Sequence, residues 1–391
     1  MFVDLKKTFA VLLIVGVGAG SIYFVREWAL SQLESSDTET SESAETSDEI
    51  SPSKTKPSKP SDDVKEETSA PGKIVTVVVS SDMGSGGDCH DHYTDGCDLF
   101  SAQVDLSTGE VTNVKQITNN DVADINPVLS QDGTKVYYTE TTGNEDAAME
   151  ISIDGGTSRV LAKAANRPFP TPDGEGVYFT LKKSSLLAFL DLTDSDGVFQ
   201  ELKTLVSTHE PEVSSRGFVG FYRSTPGSGR GSNTSQAMVY IPSTGETVEV
   251  SPADGTAHCF WNYDGSVLYC NNTGGGAGGI LSFPVSEEGV VGESSVAIRF
   301  PTVATLGAVD SEFDKECVMS SVFYGSFCDE TRVLLTAGCY TANTVDGERE
   351  QEFTQTMLLD IESGEYLPVG ANMVEAYGSE GGTTWEGACM E

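Results

Sequence analysis

The sequence predicts an all-β fold, a six-bladed β-propeller of four-stranded blades, on three observations. A hairpin pattern recurs four times, its spacing is that of a propeller blade, and the flanking runs supply further strands. The copies read NPVLSQDGTKVYYT from Asn126, RPFPTPDGEGVYFT from Arg167, EPEVSSRGFVGFY from Glu210 and HCFWNYDGSVLYC from His258. Each is a short apolar run, a polar turn and a second run rich in Val, Tyr and Phe. Asp132-Gly133, Asp173-Gly174 and Asp264-Gly265 supply turn residues that tolerate positive φ, and Arg216-Gly217 holds the same place in the third copy. The turns lie 41, 43 and 48 residues apart, the length of one blade.

The remaining strands of each blade follow in order. After KVYYTET come AMEISID and SRVLA; after GVYFTL come LLAFLDL and FQELKTLV. Gly, Asp, Ser and Thr separate these runs, as strand boundaries require. A four-stranded sheet with two apolar faces must stack on copies of itself. Beyond the first ~35 residues the i, i+3, i+4, i+7 pattern of an amphipathic helix is absent.

The repeat resembles that of the TolB-like propellers, in which an apolar strand leads through Ser-Pro-Asp-Gly to a strand ending in Tyr or Phe. Thr171-Pro172-Asp173-Gly174 and Ser130-Gln131-Asp132-Gly133 carry the resemblance, and Ser215-Arg216-Gly217 departs from it. The likeness covers roughly residues 73–370. It implies a fold rather than a function, because such rings serve as scaffolds, receptors and enzymes.

Six units can be counted. The four matched hairpins give blades near 124–165, 166–208, 209–256 and 257–303; CVMSSVFYGSFC, RVLLTAGCYT, FTQTMLLDIE and EYLPV form another; KIVTVVVSS, DLFSAQVDL and EVTNVKQIT form the first. That first unit lacks an opening run. The tail TTWEGAC, Thr383 to Cys389, has strand length. It is expected to supply the missing innermost strand and close the ring, which removes exposed edges.

Three regions result. Residues 1–33 hold a membrane anchor or signal sequence with a short juxtamembrane helix, 34–72 a disordered linker, and 73–391 the propeller. Thr8 to Val25 is an apolar run of 18 residues preceded by Lys6 and Lys7. It is long enough to span a bilayer as a transmembrane helix, with the N-terminus cytoplasmic and the propeller outside. The competing reading is a signal peptide cleaved near Gly18-Ala19-Gly20, giving a secreted protein. Glu34 to Pro71 is an acidic Ser/Thr tract that becomes rich in Pro, Lys and Ser. It cannot bury enough surface to fold and reads as a stalk.

The chain carries 60 acidic and 23 basic residues, a net charge of -37. From Lys73 onward, 47 acidic against 16 basic residues leave -31. This excludes a nucleic-acid partner, which needs clustered Lys and Arg. It also opposes docking on anionic lipid, so the membrane is met through the N-terminal helix only.

All eight cysteines follow the apolar run, and an even count outside the cytoplasm predicts disulfides. Cys259 and Cys270 lie five residues out on each side of the Asp264-Gly265 turn and should face each other across one hairpin. Cys89 and Cys97 can close a small loop. Cys317–Cys328 and Cys339–Cys389 are the pairs that remain.

Two constellations could carry function. Asn126, Arg167, Glu210 and His258 occupy one equivalent position before each turn, with His209 beside Glu210. Equivalent sites should converge on one mouth of the central channel, where polar groups suit a polar ligand or a peptide end. The same residues could instead simply hold backbone and water in a wet channel. The loop from Ser80 to Asp98 places Asp88, His90, Asp91, His92 and Asp95 at close spacing. These are ligand types for Zn or Ca, although a disulfide-pinned surface loop would read the same way. The chain contains no G-x-S-x-G elbow, Walker loop, H-E-x-x-H or dinucleotide fingerprint.

The resulting expectation is a non-catalytic, membrane-tethered, extracytoplasmic binding or scaffold module that needs no cofactor. Its partner would be a protein, peptide or glycan of the cell envelope. The alternative is a propeller enzyme of lyase or hydrolase type. It would act on an exported polysaccharide or lactone, with a metal from the His/Asp loop.

Overall fold

The computed structural model describes residues 72–81, 97–143, 145–202, 208–226, 233–250, 255–272, 278–299, 318–342, 349–369 and 386–390. The N-terminal apolar run, the stalk, Cys89, Cys317 and the Asp88, His90, Asp91, His92 and Asp95 set lie outside them. Among the described residues every regular element is a strand.

Blade one contains β1 (Ile74–Ser81), β2 (Asp98–Asp105) and β3 (Val111–Gln116). Blade two contains β4 (Ala123–Leu129), β5 (Lys135–Thr142), β6 (Glu145–Ser152) and β7 (Arg159–Lys163). Blade three contains β8 (Ala165–Pro170), β9 (Gly176–Leu181), β10 (Leu187–Asp191) and β11 (Gln200–Glu201). Blade four contains β12 (His209–Val213), β13 (Val219–Pro226), β14 (Asn233–Ile241) and β15 (Glu246–Glu249). Blade five contains β16 (Thr256–Trp261), β17 (Val267–Asn272), β18 (Gly279–Pro284) and β19 (Ser295–Arg299). Blade six contains β20 (Val318–Phe327), β21 (Arg332–Ala342), β22 (Arg349–Asp360) and β23 (Tyr366–Pro368). The last strand, β24 (Glu386–Met390), pairs antiparallel with β1, so the first blade takes its innermost strand from the end of the chain.

The turns hold because their side chains replace backbone partners. Ser130 Oγ donates to Asp132 Oδ1 at 2.6 Å, Thr134 N donates to the same oxygen, and Gly133 N donates to Ser130 O. Thr171 with Asp173, and Asn262 with Asp264, repeat the arrangement. Gly133, Gly174, Gly217 and Gly265 have φ of 66°, 71°, 83° and 69°, which a side chain would strain. The third turn, with Arg216 in the aspartate's place, gives up the carboxylate's hydrogen bonds but keeps the glycine and the bond from Phe218 N to Ser214 Oγ.

The period of two along each strand distributes the core between neighbouring blades. Val136 and Tyr138 pack with Val78 and Leu99 of blade one, whereas Tyr137 packs with Val177 and Phe179 of blade three. Tyr178 then faces Val219 and Phe221 of blade four. Blade four meets blade five through Val239, Leu268 and Phe283, and blade five meets blade six through Phe260 and Val333. Val75 and Val77 of blade one join Leu334 and Leu358 of blade six, which completes the ring.

Two disulfides are defined. Cys259 and Cys270 are direct cross-strand partners and are bonded, with Cα atoms 4.0 Å apart. Cys328 is bonded to Cys389. This corrects the expected Cys317–Cys328 and Cys339–Cys389 pairs. The end of β20 lies against the closing strand, and Cys389 N donates to Ser326 Oγ two residues before Cys328. Sequence order gave no access to that juxtaposition, which exists only once the ring is closed. Cys97 is also disulfide-bonded.

Candidate functional site

The four equivalent residues share one backbone conformation. Asn126, Arg167, Glu210 and His258 have φ of 54°, 53°, 52° and 48°. At each, the pairing with the second strand slips, between Ile125 and Val128, Asn166 and Phe169, His209 and Glu212, and Ala257 and Cys259. A bulge of this kind re-aims side chains at the strand start. Left-handed backbone in a non-glycine residue costs about 1–2 kcal/mol. Recurring in four blades, this strain marks a built feature.

Three of these residues meet across three blades. Arg167 of blade three lies 3.3 Å from Glu210 Oε1 of blade four. His258 Nδ1 of blade five lies 2.7 Å from Glu210 Oε2. A carboxylate only accepts, so Nδ1 carries the proton in this contact. Tyr222 OH donates to Glu210 Oε1 at 3.5 Å. His209 stacks on Tyr222 with ring centroids 5.1 Å apart, and the Tyr222 ring lies 5.6 Å from that of His258. Asn126 is buried at the equivalent bulge of blade two. Arg167 N donates to Thr139 Oγ1 at 2.8 Å, tying its bulge back to that blade.

The electrostatics follow from these partners. Burial by itself would raise the Glu210 carboxyl. The Arg167 charge, then the charge and hydrogen bond of His258, outweigh it and hold the group at about 2. Burial lowers the His209 imidazole; Glu210 opposes this and Arg167 adds to it. Burial also raises the Tyr222 phenol, which therefore remains a donor.

Toward the turn end, beginning two residues farther along β8 and β12, about 7 Å by strand rise, lies a cavity of about 590 Å³. It is lined from all six innermost strands: Leu129, Phe169, Glu212, Trp261, Phe327 and Cys389 each contribute from a different one. Glu212 is the charged residue among these six. Burial pushes its carboxyl well above the usual carboxylate range; the backbone N–H of Trp261 opposes this, and the Glu210 charge adds to it. Trp261 Nε1 donates to the Glu212 backbone oxygen at 3.1 Å.

The structure thus brings Arg167, Glu210 and His258 into direct contact and adds His209 through Tyr222. Neither Tyr222 nor Glu212 was singled out from sequence. Tyr222 is the aromatic that ends the third repeat copy, and that recurrence was its available signal. Glu212 had none, because a Glu in an otherwise apolar strand reads as an irregular copy. Among the described residues, no group of three His, Cys, Asp or Glu side chains is placed to hold a metal.

Comparison with known proteins places the fold in a known architecture. TolB from Acinetobacter baumannii superimposes with a TM-score of 0.53 at 15% identity, covering 80% of this chain and 66% of that one. The fold is that of a TolB-like six-bladed propeller. The propeller also matches a chain of the nidogen/laminin complex with a TM-score of 0.51 at 10% identity, covering 81% of this chain and 98% of that one. No protein-family model matches the propeller sequence, and no curated protein is similar to it.

Proposed function

We propose that the chain is a non-catalytic binding module, held outside a membrane by its N-terminal apolar run and stalk, which receives a protein or peptide partner at the strand-start mouth of the channel. One observation carries this reading. Arg167, Glu210 and His258 come from three successive blades on strained backbone and form a charge network open at one face. Their side chains are 14%, 14% and 22% exposed. A carboxyl held at about 2 is a weak base at neutral pH. That favours recognition over proton abstraction. A rigid ring with prepaid backbone strain suits binding, because little further ordering is needed when a partner arrives.

Cross-linking and capture from a cell-envelope fraction tests the reading, with the full-length, membrane-anchored chain as bait. The Glu210→Gln, His258→Ala double variant should lose the specific partner by tenfold or more. Capture at the wild-type level would refute the strand-start mouth as the binding site.

A further inference from the structure

The turn-side cavity is separate from that mouth and has different chemistry. Its walls include Phe169, Trp261, Tyr263 and Phe327, and its acids are Glu212 and, at the turn, Asp264. Tyr263 is 47% exposed at the entrance, whereas Trp261 and Phe327 are buried. No cation in the described residues sits on the Glu212 carboxyl: Arg167 and His258 engage Glu210 instead. The rim is acidic as well, for a reason the fold itself supplies. The hairpin turns that define the repeat place Asp132, Asp173 and Asp264 on this end. Hydrogen bonds from Ser130, Thr171 and Ser266 hold those carboxyls below the ordinary range, so they stay ionised. Arg216 offsets Asp264 at 3.6 Å, and Lys135 lies beside Asp132 and Asp173, leaving three acids against two cations among the described residues of this rim. Asp132 and Asp173 are engaged by turn hydroxyls and amides.

We propose that this cavity receives a single cationic side chain, lysine or arginine, from a polypeptide partner, taken up at Glu212 beside Trp261 and Tyr263. A funnel of like charge steers cations inward. Aromatic walls favour a cation over a neutral group of equal size. The net charge of -31 over residues 73–391 acts in the same direction at longer range.

The uptake is coupled to a proton. The titratable or charged groups on elements packed against β12 are Arg167 on β8, Tyr178 on β9, Tyr222 and Arg223 on β13 and His258 on β16, with His209 and Glu210 on β12 itself. Of these, Glu210 acts on Glu212 by repulsion. Burial first and then this repulsion favour the protonated form of Glu212, so an arriving ammonium or guanidinium is expected to displace the proton to solvent. Charge in the cavity is unchanged by the exchange.

Titration calorimetry of the full chain tests this, with acetyl-lysine-amide, acetyl-arginine-amide and the neutral acetyl-norleucine-amide as probes. The cationic probes should bind at least tenfold more tightly than the neutral one. Their affinity should rise with pH, and buffers of different ionisation enthalpy should report release of up to one proton per cation bound. Glu212→Gln should weaken the cationic probes tenfold or more and abolish the proton release. Equal binding of the norleucine probe, no binding of any probe, or binding without proton release in the wild type would each overturn the proposal. The wild-type measurements decide it even if the Glu212 variant does not fold.

Discussion

Glu210 and Glu212 stand two residues apart on β12 and meet opposite conditions. Glu210 receives Arg167 from blade three and His258 from blade five, and its carboxyl falls to about 2. Glu212 receives a backbone N–H and the repulsion of Glu210, and its carboxyl rises. Both leave water in part, so burial is common to the two. The difference lies in what the neighbouring blades deliver at each level of the channel. In a ring of stacked sheets, the charge state of an inner-strand residue is set by the blades on either side more than by its own.

The comparison can be broken most severely at Glu210. Glu210→Ala leaves the Arg167 guanidinium buried without its carboxylate, and should cost about 3–5 kcal/mol in urea unfolding. The pH dependence should change with it. The folded carboxyl is depressed, so its contribution is present above the unfolded value near 4.5 and is lost as pH falls toward about 2. The wild type should lose more stability across that window than the variant, whose remaining loss comes from the other depressed carboxylates such as Asp132.

The next largest effect tests whether the two ends of the channel are independent. Cys328→Ser with Cys389→Ser opens the turn-side wall, and should cost about 2–4 kcal/mol under non-reducing conditions. Histidine NMR shifts of His209 and His258 should stay in place. A shift of both would show that the ends are coupled.

Glu212→Gln should act in the other direction. A raised carboxyl contributes stability at low pH that is lost as pH rises through its folded value. The variant should therefore unfold like the wild type at pH 4 and be more stable at pH 9, by about 1–3 kcal/mol. The smallest change is Tyr222→Phe. It removes a 3.5 Å hydrogen bond to Glu210 and should cost about 0.5–1.5 kcal/mol, with the Glu210 acid window moving up in pH.

The alternation within VYYT and GVYF, the Asp-Gly turns and the unpaired first unit all act through neighbours in the chain, or through the strict period of a strand. They made six stacked blades and a closing tail legible before any coordinates. Aligning the copies also brought out the four bulge residues, because equivalent places in a repeat share a rim. Which of those residues touch, that Glu212 meets no cation among the described residues, and that Cys328 finds Cys389 instead of Cys317 depend on how far each blade is rotated and set against the next. That rotation arises from packing between faces distant in sequence. The sequence by itself therefore determined the blades and their order, and the closed ring alone decided which side chains answer one another inside it.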